Sequence, residues 1–369
     1  MHRRLLTTAL AFGALATGVA GCGGGDSQAD TSSSSTAPVS AAPVSVVEVT
    51  TTTAAAATTA AGTSAPTSAA PVDVPKYPLT GLPIADPALA GRPALVVKVD
   101  NHPQALPQAG LNQADVVYEE IVEGITRFFV VFHSQDAAPV GPIRSGRTTD
   151  VNLLAQFNRP LFAWSGGNGG VVAAINRANA ESRPDGSPGM YRDKERDKRV
   201  DREHTLFLDN TATLYTTVTP EQGTPPAMFT FRAAGQPSTG DPATSASMEM
   251  NSVEVAWLWD AGAGHWVRGE YGDPHVDTTG AAITAENVMI QFCDYKRSSA
   301  DPKSPEAITV GEGDAWLLSD GKVVKGRWSR PDAAQPASFT DAQGNPMQLT
   351  PGRTWIELAQ NGSTDVTIG

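Results

Sequence analysis

The chain has 369 residues, with 27 Lys and Arg against 39 Asp and Glu and a formal charge of -12. An acidic chain is a poor partner for nucleic acid or anionic lipid headgroups, so both are excluded as targets for its body. Two cysteines in this length exclude a fold stapled by disulfides and leave core packing as the stabilising force.

Residues 1–4 are positive through Arg3 and Arg4, and residues 5–19 are apolar but too short to cross a bilayer, which is the pattern of a secretory leader. Its end, Val19-Ala20-Gly21-Cys22, resembles the lipobox of bacterial lipoproteins. Cleavage between Gly21 and Cys22 would leave a palmitate-bearing cysteine as the first mature residue, holding the chain to the extracytoplasmic face of the cell membrane. The expected leader is residues 1–21. Residues 22–74 are almost wholly Gly, Ser, Thr, Ala, Pro and Val, without an aromatic side chain until the body begins. Such a stretch cannot bury enough apolar surface to offset its ordering entropy and reads as a flexible tether.

Residues 75–219 mix two periodicities. Runs at 94–99, 116–122 and 126–133 have strand length and β-branched or aromatic character. Thr148 or Thr149 is placed to cap a helix through Leu153, Leu154 and Phe157, stopped by Pro160. Residues 161–164 read as a strand that enters Ser165-Gly166-Gly167-Asn168-Gly169-Gly170, followed by a helix over 171–178. The expectation is a mixed α/β (α+β) N-terminal domain.

From 228 to 369 the pattern changes to short strands between Asp-Gly, Gly-Asn and Pro-Gly turns. Residues 253–259, 265–271, 285–295, 315–318 and 322–328 read as strands, as do the segments around Phe339, Met347 and Trp355, and their succession suggests a meander. The expectation is a β-rich C-terminal domain. Cys293, inside an apolar run, is expected to be a buried free thiol.

Several segments together resemble a family. They are Pro78-Leu79-Thr80-Gly81-Leu82, Ala114-Asp115-Val116-Val117-Tyr118-Glu119, Val122-Glu123-Gly124-Ile125-Thr126-Arg127-Phe128, Gly141-Pro142-Ile143-Arg144-Ser145-Gly146-Arg147, Tyr271-Gly272-Asp273-Pro274-His275 and Pro351-Gly352-Arg353-Thr354-Trp355. In this order they are similar to the YerB-like lipoproteins. The resemblance implies a lipoprotein with paired N- and C-terminal domains and unknown function, so it carries over no catalytic residue. The chain departs from that pattern in having a single Gly124 and in having Thr205 after His204.

Serine-hydrolase elbows, Walker loops, His-Glu-x-x-His and Cys-x-x-Cys motifs are absent, and neither a cofactor nor a metal is expected. The strongest cluster is Arg144-Ser145-Gly146-Arg147, where a strand-like segment meets a helix start: paired guanidiniums suit a bidentate grip on carboxylate or phosphate. Pairing with Glu119, Glu120 or Glu123 on a neighbouring strand is the structural alternative. Arg127, Arg192 and His204 complete the candidate ligand-binding set, and Glu119, Glu120 and Glu123 are the candidate acid–base groups. Asp273-Pro274-His275-Val276-Asp277 reads as an Asp-stabilised turn, and Trp257, Trp259 and Trp266 as core and rim residues. The functional expectation is a membrane-anchored binding or regulatory module of the cell envelope, with cell-wall fragments or envelope proteins as partners. An enzyme acting on wall glycan or peptide and a solute-binding lipoprotein are the alternatives.

Overall fold

The computed structural model describes residues 74–233 and 235–369. The leader, the lipobox residues Gly21 and Cys22 and nearly all of the tether lie outside the described residues.

The expected strands of the first region form as β1 (Leu95–Asp100), β2 (Val116–Ile121), β3 (Thr126–Phe132), β4 (Leu161–Trp164) and β5 (Glu181–Pro184). β3 pairs antiparallel with β1 and β2, whereas β1, β4 and β5 run parallel. β1, β2 and β3 are buried along their whole length, which explains their near-continuous apolar character: both faces of the sheet are covered. One face packs Val96, Phe129 and Phe162 against Leu153, Leu154, Val171 and Ile175 of the helices Thr148–Ala155 and Gly169–Ile175. The opposite face packs Val117 and Phe128 against Val255, Trp257 and Trp266 of a second sheet.

The second region keeps its expected strand-rich composition, but it is not a simple meander. Strands Gly311–Ser319, Lys322–Arg330 and Ser338–Asp341 do follow one another antiparallel. Strand Thr354–Gln360 then lies parallel to Asn287–Cys293 on one side and to β2 on the other. One eleven-stranded sheet therefore runs through both regions of the chain. The second sheet is built from Ser245–Met250, Val253–Asp260 and His265–Glu270, with Val366–Ile368 at one edge.

Four local expectations are corrected. The run 285–295 is not one strand: it divides into Thr284–Ala285, Asn287–Cys293 and Tyr295–Arg297, which join three different sheets. The first long helix begins at Thr148, so neither threonine caps it. Arg147 is the N-cap, and its backbone N–H donates to Asp150 Oδ2 at 2.7 Å. The same helix ends at Ala155, and Asn158 and Arg159, both at positive φ, turn the chain before Pro160. Cys293 is a buried free thiol, and burial pushes its pKa up. Trp257 and Trp266 are wholly buried. The turn expected over 273–277 is displaced: Asp273–Pro274 pairs as a short strand with His265–Glu270, and Asp277 accepts from the backbone N–H groups of Thr279 and Ala281 in the turn that follows.

A rim of arginines above two buried charge clusters

Because β1, β4 and β5 are parallel, their C-terminal ends share one edge, where open α/β sheets present ligand sites. The loop 144–147 is wedged there. Arg144 N donates to Lys98 O at 2.8 Å, Ser165 N donates to Arg144 O at 3.0 Å, and Gly146 N donates to Gly166 O at 3.0 Å. Gly146 lets the loop sit close against Ile175 and Trp164, which a Cβ there would push aside. The glycine-rich loop next to it is an ordinary strand-to-helix turn in which Asn168 caps the helix by accepting from Val171 N at 2.9 Å.

Three guanidiniums gather around this loop. Arg144 donates through Nε to Asp100 Oδ2 at 3.1 Å and through Nη2 to Glu203 Oε1 at 2.5 Å. Arg147 grips Glu123 with two bonds, Nε to Oε1 at 3.0 Å and Nη2 to Oε2 at 2.6 Å, and Ser304 Oγ donates to the same carboxylate. Arg127 donates through Nη1 to Ser145 O at 2.9 Å, and its Nε has no partner. Burial, together with the positive charges of Arg147 and Arg144, pulls Arg127 down to about 10. Asp100 also faces His204 Nδ1 at 2.6 Å, and the imidazole stacks on His102 with ring centroids 4.6 Å apart. Burial pushes the Asp100 carboxyl up, but the hydrogen bond from His204 and the charges of Arg127 and Arg144 outweigh it and hold the pKa below its usual value. Ser145 is half-buried. Arg192 stands apart from the three. It binds Asp185 at 2.6 Å and Arg202 O at 2.8 Å, and so braces the turn that carries His204.

The candidate carboxylates do not share one environment. Alternation along β2 sends Glu119 and Glu120 to opposite faces, both fully buried. On the helix face, Lys98 Nζ donates to Glu120 and, at 2.7 Å, to Asp150 Oδ1. Burial raises the Glu120 pKa to about 7 in spite of Lys98. On the other face, Glu119 accepts from Thr126 Oγ1 at 2.6 Å and from Arg268 Nη2 at 2.7 Å, and it stands opposite Glu357 in the parallel pairing. Glu270 lies 3.0 Å from Arg268, and Trp257 Nε1 donates to Glu357 at 2.8 Å. Burial raises the pKa of Glu270 and, with the charge of Glu119 added, lifts that of Glu357 well above its usual range. Arginine can only donate, so its 2.7 Å contact makes His275 Nδ1 the acceptor and leaves Nε2–H to donate to Gln108 Oε1 at 2.8 Å. Burial and the Arg268 charge accordingly hold His275 neutral, well below its usual pKa. Of the three candidate glutamates only Glu123 is at the rim, where it is exposed. Burial raises its pKa, but the bonds from Arg147 and Ser304 dominate and set it at about 2.

Sequence reasoning missed Lys98, Asp100, Arg268 and Glu357. Lys98 left a signal, since a lone cation inside the apolar run 95–99 requires a buried carboxylate partner. Glu357 left none, because its neighbour Glu119 is far away in sequence. Among the described residues, no group of three or more His, Cys, Asp or Glu side chains is placed to hold a metal ion. No described helix is long and apolar enough to cross a membrane.

Comparison with known proteins agrees with this organisation. Residues 79–222 match the family model "Protein of unknown function (DUF3048) N-terminal domain", and residues 245–356 match the corresponding C-terminal domain. The chain is 29% identical over 294 residues to the Bacillus subtilis (strain 168) protein named "Putative lipoprotein YerB", an alignment covering 77% of this chain and 86% of the relative. The crystal structure of YerB from Bacillus subtilis superposes with a TM-score of 0.67 at 24% identity, covering 79% of this chain and 99% of the other, and so shares its fold. With both domains matched in order, the chain belongs to the YerB-like family, whose paired DUF3048 domains have no known function.

Proposed function

We propose that this is a lipid-anchored protein of the cell envelope, held to the extracytoplasmic face of the membrane through Cys22, and that it works as a binding or regulatory module with its ligand site at the arginine rim. One observation carries the reading: Arg127, Arg144 and Arg147 converge on one loop at the ends of the parallel strands, while Glu119 and Glu120 are buried away from any substrate. Guanidiniums fixed on a rigid sheet suit carboxylate- or phosphate-bearing wall fragments, or an acidic surface of an envelope protein. The tether supports the reading by giving the folded part reach away from the membrane. A solute-binding role fits less well, because the two regions share one sheet and the described residues do not form a pair of lobes able to close on a ligand.

The Asp100–His204 pair favours a second reading, an enzyme acting on wall glycan or peptide, since a buried carboxylate that orients an imidazole is the arrangement used for proton transfer. Co-sedimentation with intact wall sacculi tests the first reading, comparing the wild-type chain with a folded Arg144→Ala/Arg147→Ala variant. Binding that the variant loses supports the rim as the ligand site, and binding that it keeps overturns it. Loss of wall material from the sacculi that stops in His204→Gln, with binding intact, would establish the second reading instead.

A further inference from the structure

The rim is closed by its own side chains. Glu203 takes the outer nitrogen of Arg144, and Glu123 takes two nitrogens of Arg147. These are its accessible carboxylates, with side chains 57% and 35% exposed, whereas Asp100 is fully buried and fixed by His204 and Arg144. Arg127 differs from its two neighbours. It is 4% exposed, donates only to Ser145 O, leaves Nε without a partner, and forms no ion pair among the described residues. Asp100, opposite it on β1, supplies its nearest buried negative charge but spends its bonds on Arg144 and His204, so the Arg127 guanidinium is left without a direct ion pair. A buried cation so incompletely bonded is costly to retain. Arg330, equally buried and without an ion pair among the described residues, fills its guanidinium with four backbone carbonyls, whereas Arg127 reaches only one and keeps donor capacity for a ligand.

We propose that Arg127, Arg144 and Arg147 form a seat for a phosphate monoester, which Glu123 and Glu203 occupy until the ligand displaces them; the proposal rests on the rim being the ligand site. Charge selects the class. Three guanidiniums and the fixed Asp100 leave two positive charges once the two glutamates swing out. A phosphate monoester carries about -1.5 to -2 at neutral pH and matches them. A phosphate diester or a carboxylate carries a single negative charge and leaves one guanidinium uncompensated. The monoester's three terminal oxygens also offer an acceptor to each guanidinium.

The test is calorimetric titration of the full-length chain with methyl phosphate, dimethyl phosphate and acetate at one ionic strength and slightly alkaline pH. Methyl phosphate should bind saturably and at least about ten-fold more tightly than the other two, the step expected for one added charge-assisted contact. Its affinity should rise by about the same factor in Glu123→Gln/Glu203→Gln, which removes both competing charges, and should be lost in Arg127→Gln. Glu203 is exposed, so Glu203→Gln alone keeps the test available if the double variant does not fold, and it too should bind methyl phosphate more tightly. Equal affinity for the three anions, or no gain in either glutamate variant, overturns the proposal. Release of sacculus-bound chain by methyl phosphate would place the monoester on the wall, whereas tight methyl phosphate binding without release would place it on a diffusible ligand. Sacculus binding through the arginines combined with no methyl phosphate binding would overturn this inference and leave the rim as the ligand site.

Discussion

Replacing Lys98 by Met removes the cation from the most enclosed ion cluster on the helix face. The Lys98, Glu120 and Asp150 side chains are all fully buried, and the ammonium bonds both carboxylates. Met fills much of the same volume, so packing changes little and the loss is electrostatic. Two carboxylates would then face each other without a counter-charge, and breaking a buried pair in this way costs about 3–5 kcal/mol. That is a large part of the 5–15 kcal/mol typical of a folded domain. The cost should depend on pH. Glu120, already raised to about 7, is the group that would take up a proton once the ammonium is gone. Equilibrium urea denaturation at pH 8 and pH 5 should therefore show the larger loss at pH 8, and Lys98→Met/Glu120→Gln should recover most of it. A loss below about 1 kcal/mol at pH 8, or an equal loss at both pH values, would refute the reasoning, because it would mean the cluster is solvated or the ammonium contributes nothing.

Glu123 should act in a more acidic pH window. Burial raises its pKa, but the Arg147 and Ser304 hydrogen bonds bring it from 4.5 to about 2, so below pH 4.5 the folded chain binds fewer protons than the unfolded one. The stabilisation is complete above pH 4.5 and disappears as pH falls toward about 2. Glu123→Gln should flatten the acid limb of a plot of denaturation midpoint against pH, and an unchanged limb would show that the Arg147 pair does not stabilise the fold. Cys22→Ala should leave the chain unprocessed or released from membranes in a fractionation experiment; a variant that is still processed and membrane-held would remove the lipid anchor.

The strands were legible because local pattern determines them. Residues 94–99, 116–122 and 126–133 announce buried strands by composition, and the structure moves their ends by only a residue or so. The turn at Asp320-Gly321 likewise places the hairpin of Gly311–Ser319 and Lys322–Arg330. What stayed hidden depends on pairing at long range. Nothing local to residues 354–360 says that they lie between β2 and Asn287–Cys293, yet that parallel strand joins the two regions and sets Glu357 beside Glu119. The candidate site was legible in part for the same reason. The arginine-bearing loop could be read from its own residues, and so could Glu123 as a partner, which Arg147 grips; the other two carboxylates that hold the loop, Asp100 and Glu203, come from segments that nothing local ties to it.

The buried charges also explain how the rim is held in place. Well-packed apolar residues in a core are often as stabilising as an ion cluster, or more so, so burial of Lys98, Glu120 and Asp150 is weak evidence for a stability role. Their geometry points to orientation. Lys98 holds Asp150 through Oδ1, and Asp150 uses Oδ2 to accept from Arg147 N, which fixes the loop where it enters the helix. Two residues along β1, on the same face, Asp100 fixes Arg144 and His204. One strand thus positions two of the three rim arginines through alternate side chains, and its antiparallel partner β3 supplies the third, Arg127, directly opposite Asp100. Removing Lys98 should therefore loosen Arg147 before it disturbs Arg144, because only Arg147 depends on the ammonium through Asp150.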